Sequence, residues 1–314
     1  TFDIQGNIEV GKKYNIDGIM TVGTDQRVYT AAKVAAKLDL PFYLPLQTAK
    51  AVTNKRNMKN TFQKYNIPTV NFKILKQNFS LNELENIRFP VVIKPLDSQG
   101  QRGVFKLESP EEVKERFAEV LKFSREDEIL LEEYYESKEI TVSGWVKNEK
   151  LYILTVTDRI TYEDSLHIGI CTAHIFPSYF LQKHFQEIKD ISQKIIKSFN
   201  IKNGPIYFQM LIGDDGVKVN EIACRIGGAY EGDFMPRLTG VDILDLMIDL
   251  SLGFEIKSDN LQKYDILNND KWLSVQLFYA RPGKIHKMSR EDDLSRLPGV
   301  LQAGFNFSQG DEIG

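Results

Sequence analysis

Beyond Arg125 the chain repeats one pattern: EILLEEYY, EITVSGWV, LYILTVTD, PIYFQMLI and VKVNEI are short runs rich in β-branched and aromatic residues. Runs of this length and composition read as strands, and their number makes an antiparallel sheet the dominant element of the second half. One interruption has a different period. Over residues 185–199 the apolar positions recur every three or four residues, which predicts an amphipathic helix.

The first half is organised differently. Residues 18–22 form a short apolar run, the polar turn Gly23-Thr24-Asp25 follows, and Val28, Ala31, Ala32, Val34, Ala35 and Leu38 trace a helical stretch that ends at LDLPFYLP. This predicts a β-α-β fragment. A parallel α/β domain needs at least one more strand and helix ahead of Thr1, so the natural start is expected to lie upstream, and the abrupt end GDEIG is read the same way. A helix over residues 53–65 should stop before Pro68, because the residue preceding proline is pushed out of helical space. Two helix starts carry Ser caps with Glu three residues on, Ser80/Glu83 and Ser109/Glu112, the second with Pro110 at the first helical position. Between them FPVVIKP reads as an almost wholly apolar strand ending in a lysine. A last helix is expected over residues 241–252, then a polar stretch (KSDNLQKYDILNNDK) taken as a domain boundary, then strands beginning WLSVQLFYA.

Composition narrows the class. With 314 residues, 42% hydrophobic and 26% charged, there is material for a buried core and for two or three domains. Forty Lys and Arg against 43 Asp and Glu leave a net charge of -3, too little to recruit nucleic acid or an anionic membrane as partner. Two cysteines outside any CxxC spacing, no leader-like opening and no apolar window of about eighteen residues point to a cytoplasmic protein.

Three segments concentrate chemistry. Lys94 closes the apolar strand and is followed by Asp97-Ser98-Gln99-Gly100-Gln101-Arg102-Gly103. Either the lysine meets a phosphate while the loop folds its N–H groups over the same ligand, or it snorkels beside an ordinary glycine turn. The loop lacks the Gly-Lys-Ser/Thr ending of a Walker P-loop. Glu132-Glu133-Tyr134-Tyr135-Glu136-Ser137-Lys138-Glu139 is either a solvated turn or a site offering peptide groups to a flat base and a carboxylate to ribose. In PIYFQMLIGDDGVKVNEIACRIGG two strands flank a turn at Asp214-Asp215-Gly216, a predicted hairpin. If its loop holds an odd number of residues, Gln209 and Glu221 share a face with Arg225 just beyond. That arrangement suits a magnesium-bound polyphosphate; a structural ion pair between Glu221 and Arg225 accounts for it equally.

Taken in order, these segments resemble the ATP-grasp superfamily over almost the whole chain. The resemblance implies an α/β and α+β architecture: a partial N-terminal Rossmann-like (pre-ATP-grasp) domain at 1–48, and an ATP-grasp domain at 49–255. The latter has a lid at about 68–131 and an antiparallel-sheet palm at about 132–255; a β-rich extension of the palm follows at 256–314. VTNKRNMKNTFQKYNIPTV implies that Lys55 reaches a phosphate of ATP, and FPVVIKP with SQGQRGV implies the same of Lys94 under a flap containing Ser98, Gln99, Gly100 and Gly103. LLEEYYESKEITV implies a hinge that binds adenine through the main chain of Glu132, Glu133, Tyr134 and Tyr135, with Glu139 on the ribose. VNEIACRIGG implies Glu221, with Gln209, as ligands of Mg2+ (or Mn2+), and Arg225 and Lys94 as catalytic groups.

Three positions depart from the family pattern. Gln209 stands where many members have an acid, although carbamoyl phosphate synthetases look similar there; Ala223 replaces a frequent Asn ligand, leaving fewer ligands for a second metal; and Ser137 replaces a common Gly. Ala223 resembles both the NEIAPR strand of carboxyaminoimidazole ribonucleotide synthetase and the E-x-A-x-R-x-G-G pattern of amino-acid ligases, and the second is the closer of the two because IGG follows Arg225. The expected activity is an ATP-dependent ligase that joins a small-molecule carboxylate to an amine through an acyl phosphate, with ADP and phosphate released; a homodimer is compatible with this. Purine-pathway ligases such as phosphoribosylglycinamide synthetase, bicarbonate-dependent carboxylases, and a nucleotide-binding regulatory module without turnover are the alternatives. ITYEDSLHIGICTAHIFPS, with His167, His174 and Ser178, is expected to border the second-substrate pocket.

Overall fold

The structure, a computed structural model, describes residues 2–162 and 168–314, so His167 lies outside the described residues. Two compact units are present, Thr1–Gln276 and Leu277–Gly314. The first opens with four helices, α1 (Ile4–Tyr14), α2 (Gln26–Leu38), α3 (Leu46–Ala51) and α4 (Lys55–Lys64). A four-stranded antiparallel lid sheet follows, built from β1 (Phe72–Lys76), β2 (Val91–Pro95), β3 (Phe105–Leu107) and β4 (Glu128–Glu133) in the order β1-β4-β2-β3, with α5 (Pro110–Leu121) packed on it.

The palm contains β5 (Lys138–Lys147), β6 (Lys150–Tyr162), β7 (Ile170–Phe176), α6 (Leu181–Ser198), β8 (Gly204–Gly213), β9 (Gly216–Ala223), α7 (Glu231–Thr239), α8 (Ile243–Ser251), α9 (Asp259–Lys263) and β10 (Leu273–Gln276). Its six strands run β10-β7-β6-β5-β8-β9, every neighbour antiparallel. The second unit carries β11 (Gly283–Lys284), α10 (Glu291–Ser295) and β12 (Glu312–Ile313), with β11 and β12 paired antiparallel.

Period-two alternation gives each sheet one apolar and one polar face. In the lid Val91, Ile93, Ile129 and Leu131 join Val113, Phe117 and Val120 of α5 in one buried cluster. Each such side chain contributes roughly 1.5–3 kcal/mol through burial. The alternate positions, Lys94 and Glu132, face the other way. In the palm, Ile140, Val142, Phe208, Met210 and Ile222 join Ile188, Ile195 and Ile196 of α6 in the main core. That leaves Glu139, Thr141 and Ser143 of β5 on the opposite face, in register with Leu211, Gln209 and Tyr207 of β8.

Local signals account for the helix starts. Asn54 caps α4 by accepting from the N–H of Asn57 (3.2 Å), Ser109 caps α5 by accepting from Glu112, and Ser80 with Glu83 makes the expected capping box on a single 3-10 turn, Leu81–Leu84.

Four expectations require correction. The first 48 residues form helices, but the runs flanking α2 are not paired as strands. A parallel strand obtains its hydrogen bonds from sheet neighbours, and the described residues offer these runs none. β7 (ICTAHIF) lies where no strand was read, because its polar Thr172 and His174 break the apolar signal. α7 was missed because Pro236 sits inside it. The polar stretch taken as a boundary folds onto the main unit, burying Leu261 and Ile266 in its core, and the compact division falls after Gln276.

Candidate active site

Lys94, Glu132 and the first two turns of α4 build the centre of the site. Glu132, 3% exposed, is bracketed by two ammonium groups: its Oε1 is 2.5 Å from Lys59 Nζ and its Oε2 is 2.5 Å from Lys94 Nζ. Burial raises the carboxyl's pKa, but the two lysines overcome it and hold the group down at about 2. Lys94 also donates to Asn220 Oδ1 (3.0 Å) and lies 3.8 Å from Glu221. Burial would discharge Lys94, yet the charges of Glu132 and Glu221 win and shift it upward. Lys55 donates to the carbonyl of Ser98 (2.8 Å) and stands 3.5 Å from Glu221 Oε1. Glu221 is half-buried; burial opposes its charge, while Lys55 and Lys94 pull its pKa below the ordinary value.

Gln209 and Glu221 are direct partners across β8 and β9, but not by the route the spacing suggested. The ladder closes at Gly213 and Gly216, so the loop holds two residues, an even number. A regular ladder would then turn the two side chains to opposite faces. A register shift between Gln209 and Met210 leaves Asn220 as the extra residue of a β-bulge and restores the pair to one face. The bulged residue is itself used, since Asn220 accepts from Lys94.

Glu139, predicted for ribose, receives Arg159 Nη1 and Gln209 Nε2, the latter at 2.8 Å. Arg159 also donates to the Gly169 carbonyl (2.8 Å). The amide of Gln209 thus spends its nitrogen on Glu139, leaving Oε1 as its one oxygen for a cation. Among the described residues there is no group of three or more His, Cys, Asp or Glu that could hold a metal. Magnesium needs only one or two protein oxygens when phosphate and water complete its shell, and Glu221 with Gln209 fits that requirement.

The flap spans Ser98 to Gly103. Positive φ at Gly100 (69°), Gln101 (60°) and Gly103 (71°) folds it into a tight turn. A Cβ at Gly103 would come within 2.7 Å of the Phe123 ring, so only glycine fits there. The buried Nε2 of Gln99 has no hydrogen-bond partner among the described residues.

At the hinge, the Glu133 N–H is given to Asn71 O and the Tyr134 N–H to Pro90 O, both at 2.9 Å. Two N–H groups of the main-chain segment expected to bind a base are thereby committed inside the lid. The Glu133 carboxylate is held by Arg88 and Asn71, and Tyr135 Oη donates to the Gly216 carbonyl (2.9 Å). Glu133, Tyr134 and Tyr135 line a cavity of about 290 Å³ with Val70, Phe89 and Lys218.

Arg225 is not paired with Glu221. Its Nε donates to Asp25 Oδ1 at 2.5 Å, and its guanidinium lies 4.7 Å from the centre of the Tyr207 ring. Beyond it the buried Glu231 carboxylate accepts from Ser143 Oγ and from the Gly227 N–H (2.6 Å). His174 is buried with Nδ1 3.2 Å from Thr157 Oγ1; burial first, and Arg159 second, lower its pKa to about 4. Ser178 bonds Asp158 instead and caps a local turn.

Lys59, Asn220, Arg159, Asp25 and Glu231 escaped sequence reading. One of them had left a signal: Lys59 follows Lys55 by four residues, one helical turn on the same face.

Residues 87–233 match the family described as the ATP-grasp domain. This stretch of the chain is similar to an ATP-grasp domain. The ATP-grasp match takes in the lid from β2 onward and the palm as far as Asp233. Over 193 residues the chain is 24% identical to human mitochondrial carbamoyl-phosphate synthase [ammonia], a stretch covering 60% of this chain and 12% of that protein. In solved structures, the L-amino acid ligase from Bacillus licheniformis superposes with a TM-score of 0.83 at 18% identity, over 99% of this chain and 74% of that one. The biotin carboxylase domain of the 2-oxoglutarate carboxylase from Hydrogenobacter thermophilus, a dimer in complex with MgADP, ADP and bicarbonate, gives 0.69 at 19% identity over 82% and 58%. At these identities the structural likeness establishes the ATP-grasp fold.

Proposed function

We propose that the chain is an ATP-dependent ligase that activates a small-molecule carboxylate as an acyl phosphate and passes it to an amine. The observation that carries this is the convergence of Lys55 (3.5 Å) and Lys94 (3.8 Å) on the Glu221 carboxylate, beside the flap carbonyl of Ser98, with Arg225 two positions beyond Ala223. Lys55 and Lys94 take the phosphates, and the flap covers them and excludes water. Glu221 and Gln209 would hold magnesium, which neutralises polyphosphate charge. A carboxylate oxygen attacks the γ-phosphorus and ADP departs; the amine then attacks the acyl carbon, phosphate leaves, and the amine gives up a proton. Arg225 steadies the charge of the transferring group.

Glu139 takes the ribose, sharing its carboxylate with Arg159, and the segment from Glu132 to Tyr135 takes the base. Net charge of -3, two free cysteines and, among the described residues, no helix long and apolar enough to cross a membrane support a cytoplasmic setting with small-molecule partners.

The test is ADP release by the intact chain with Mg-ATP across amino acids, dipeptides, phosphoribosylamine with glycine, and bicarbonate. Stimulation by one class names the carboxylate. Glu221→Ala is expected to lower that release at least about a hundredfold with unchanged circular dichroism; full turnover in this variant rules out the metal role of Glu221.

A further inference from the structure

Lys55 and Lys59 lie one turn apart on α4, but they are held differently. Lys55 reaches the flap carbonyl of Ser98 and the half-buried Glu221. Lys59 is 1% exposed, and its ammonium already faces Glu132 Oε1 (2.5 Å), Thr69 Oγ1 (2.7 Å) and the Val219 carbonyl (3.5 Å). Ion-paired with Glu132, hydrogen-bonded to Thr69 and Val219 and 1% exposed, it has no open side from which to follow a ligand. Thr69 donates in turn to Val219 O (2.8 Å), so two of the oxygens around Lys59 are themselves hydrogen-bonded to each other.

Glu132 thus divides its two oxygens between a lysine that cannot move and Lys94, which is shared with Asn220 and Glu221. A carboxylate this deeply buried cannot stay ionised without a counter-ion. Were Lys94 its only partner, drawing that ammonium toward a phosphate would strand a buried negative charge.

We propose that Lys59 is a positioning residue: as the permanent counter-ion of Glu132, it releases Lys94 to turn to a nucleotide phosphate. This rests on the reading that Lys94 meets the phosphates of Mg-ATP. A purely structural ion pair would hold the fold together without affecting the nucleotide, and the two roles separate experimentally.

The experiment is calorimetric titration of the full chain with Mg-ATP, for wild type, Lys59→Met, Glu132→Gln and the double variant, with thermal melting of the same samples. Lys59→Met is expected to weaken binding about tenfold per folded molecule, since Glu132 then holds Lys94 alone. In the Glu132→Gln background the same change should move the dissociation constant less than about twofold, because the charge that Lys59 balances is gone. Equal losses in both backgrounds, or a lowered melting temperature with wild-type affinity, overturn the proposal. Should Lys59→Met fail to fold, the two Glu132→Gln samples decide: equal affinities support the role and a tenfold difference refutes it. Absence of Mg-ATP binding by the wild-type chain overturns the nucleotide reading, and this inference with it.

Discussion

Single side chains in this site are governed by the charges packed around them. Lys94 is buried, yet its pKa is shifted upward rather than down, because two carboxylates outweigh its loss of hydration. Lys94→Ala is expected to raise the Mg-ATP dissociation constant at least about tenfold in a fluorescence or calorimetric titration; an unchanged constant would remove Lys94 from the phosphate site. His174 shows the opposite balance. Its pKa falls from 6.5 to about 4, so between those values the unfolded chain binds a proton that the fold refuses. The stability this contributes is complete above pH 6.5 and is lost as pH falls toward 4, on the order of 2–3 kcal/mol. Glu132, held at about 2 against an ordinary 4.5, acts in a lower window, with stability present above 4.5 and lost as pH falls toward 2. Denaturant titrations at pH 7 and pH 4.5 should therefore show a smaller drop for His174→Gln than for wild type. Equal drops would exclude His174 as the source.

At the scale of elements, the hairpin of β8 and β9 depends on one inserted residue. Asn220 shifts the register so that Gln209 opposes Glu221, and its own side chain accepts from Lys94. Deleting Asn220 should leave the far-ultraviolet circular dichroism spectrum intact and keep Gln209 opposite Glu221, because a two-residue loop then pairs them in a regular ladder, while Lys94 loses its Asn220 acceptor. ADP release should then fall less than about tenfold, the effect of one lost hydrogen bond; a fall of about a hundredfold or more would show that the bulge itself, and not the pairing alone, places Glu221. The hairpin's existence was legible from its alternating residues and its Asp-Asp-Gly turn. The bulge was not, since nothing in VKVNEIA distinguishes a bulged Asn from a paired one.

Across the first compact unit, the site draws on segments far apart in the chain. α4 provides Lys55 and Lys59, the lid Lys94 and Glu132, the palm Glu139, Gln209, Glu221 and Arg225, and the turn before α2 Asp25. A ligand held between lid and palm stabilises only the folded arrangement. Mg-ATP at one hundred times its dissociation constant should therefore add about 2.7 kcal/mol, read as a rise in melting temperature, with ADP giving a smaller rise at equal concentration. No rise with either nucleotide would contradict the site.

The fold class, most strands of the two main sheets and several helix starts were readable before any coordinates, because strand alternation and capping residues are local properties. Helix α5 begins where Ser109 and Pro110 say it should, and Lys94 lies next to the last residue of its strand, Pro95. What the tertiary structure alone decided were the partners. Arg225 meets Asp25 across 200 positions of chain, Lys94 meets Asn220 across 126, and Glu139 meets Gln209 across 70. Composition and period determine which face of an element is polar, but the ion that each charge meets is set by how sheets register and pack, and no local pattern records that.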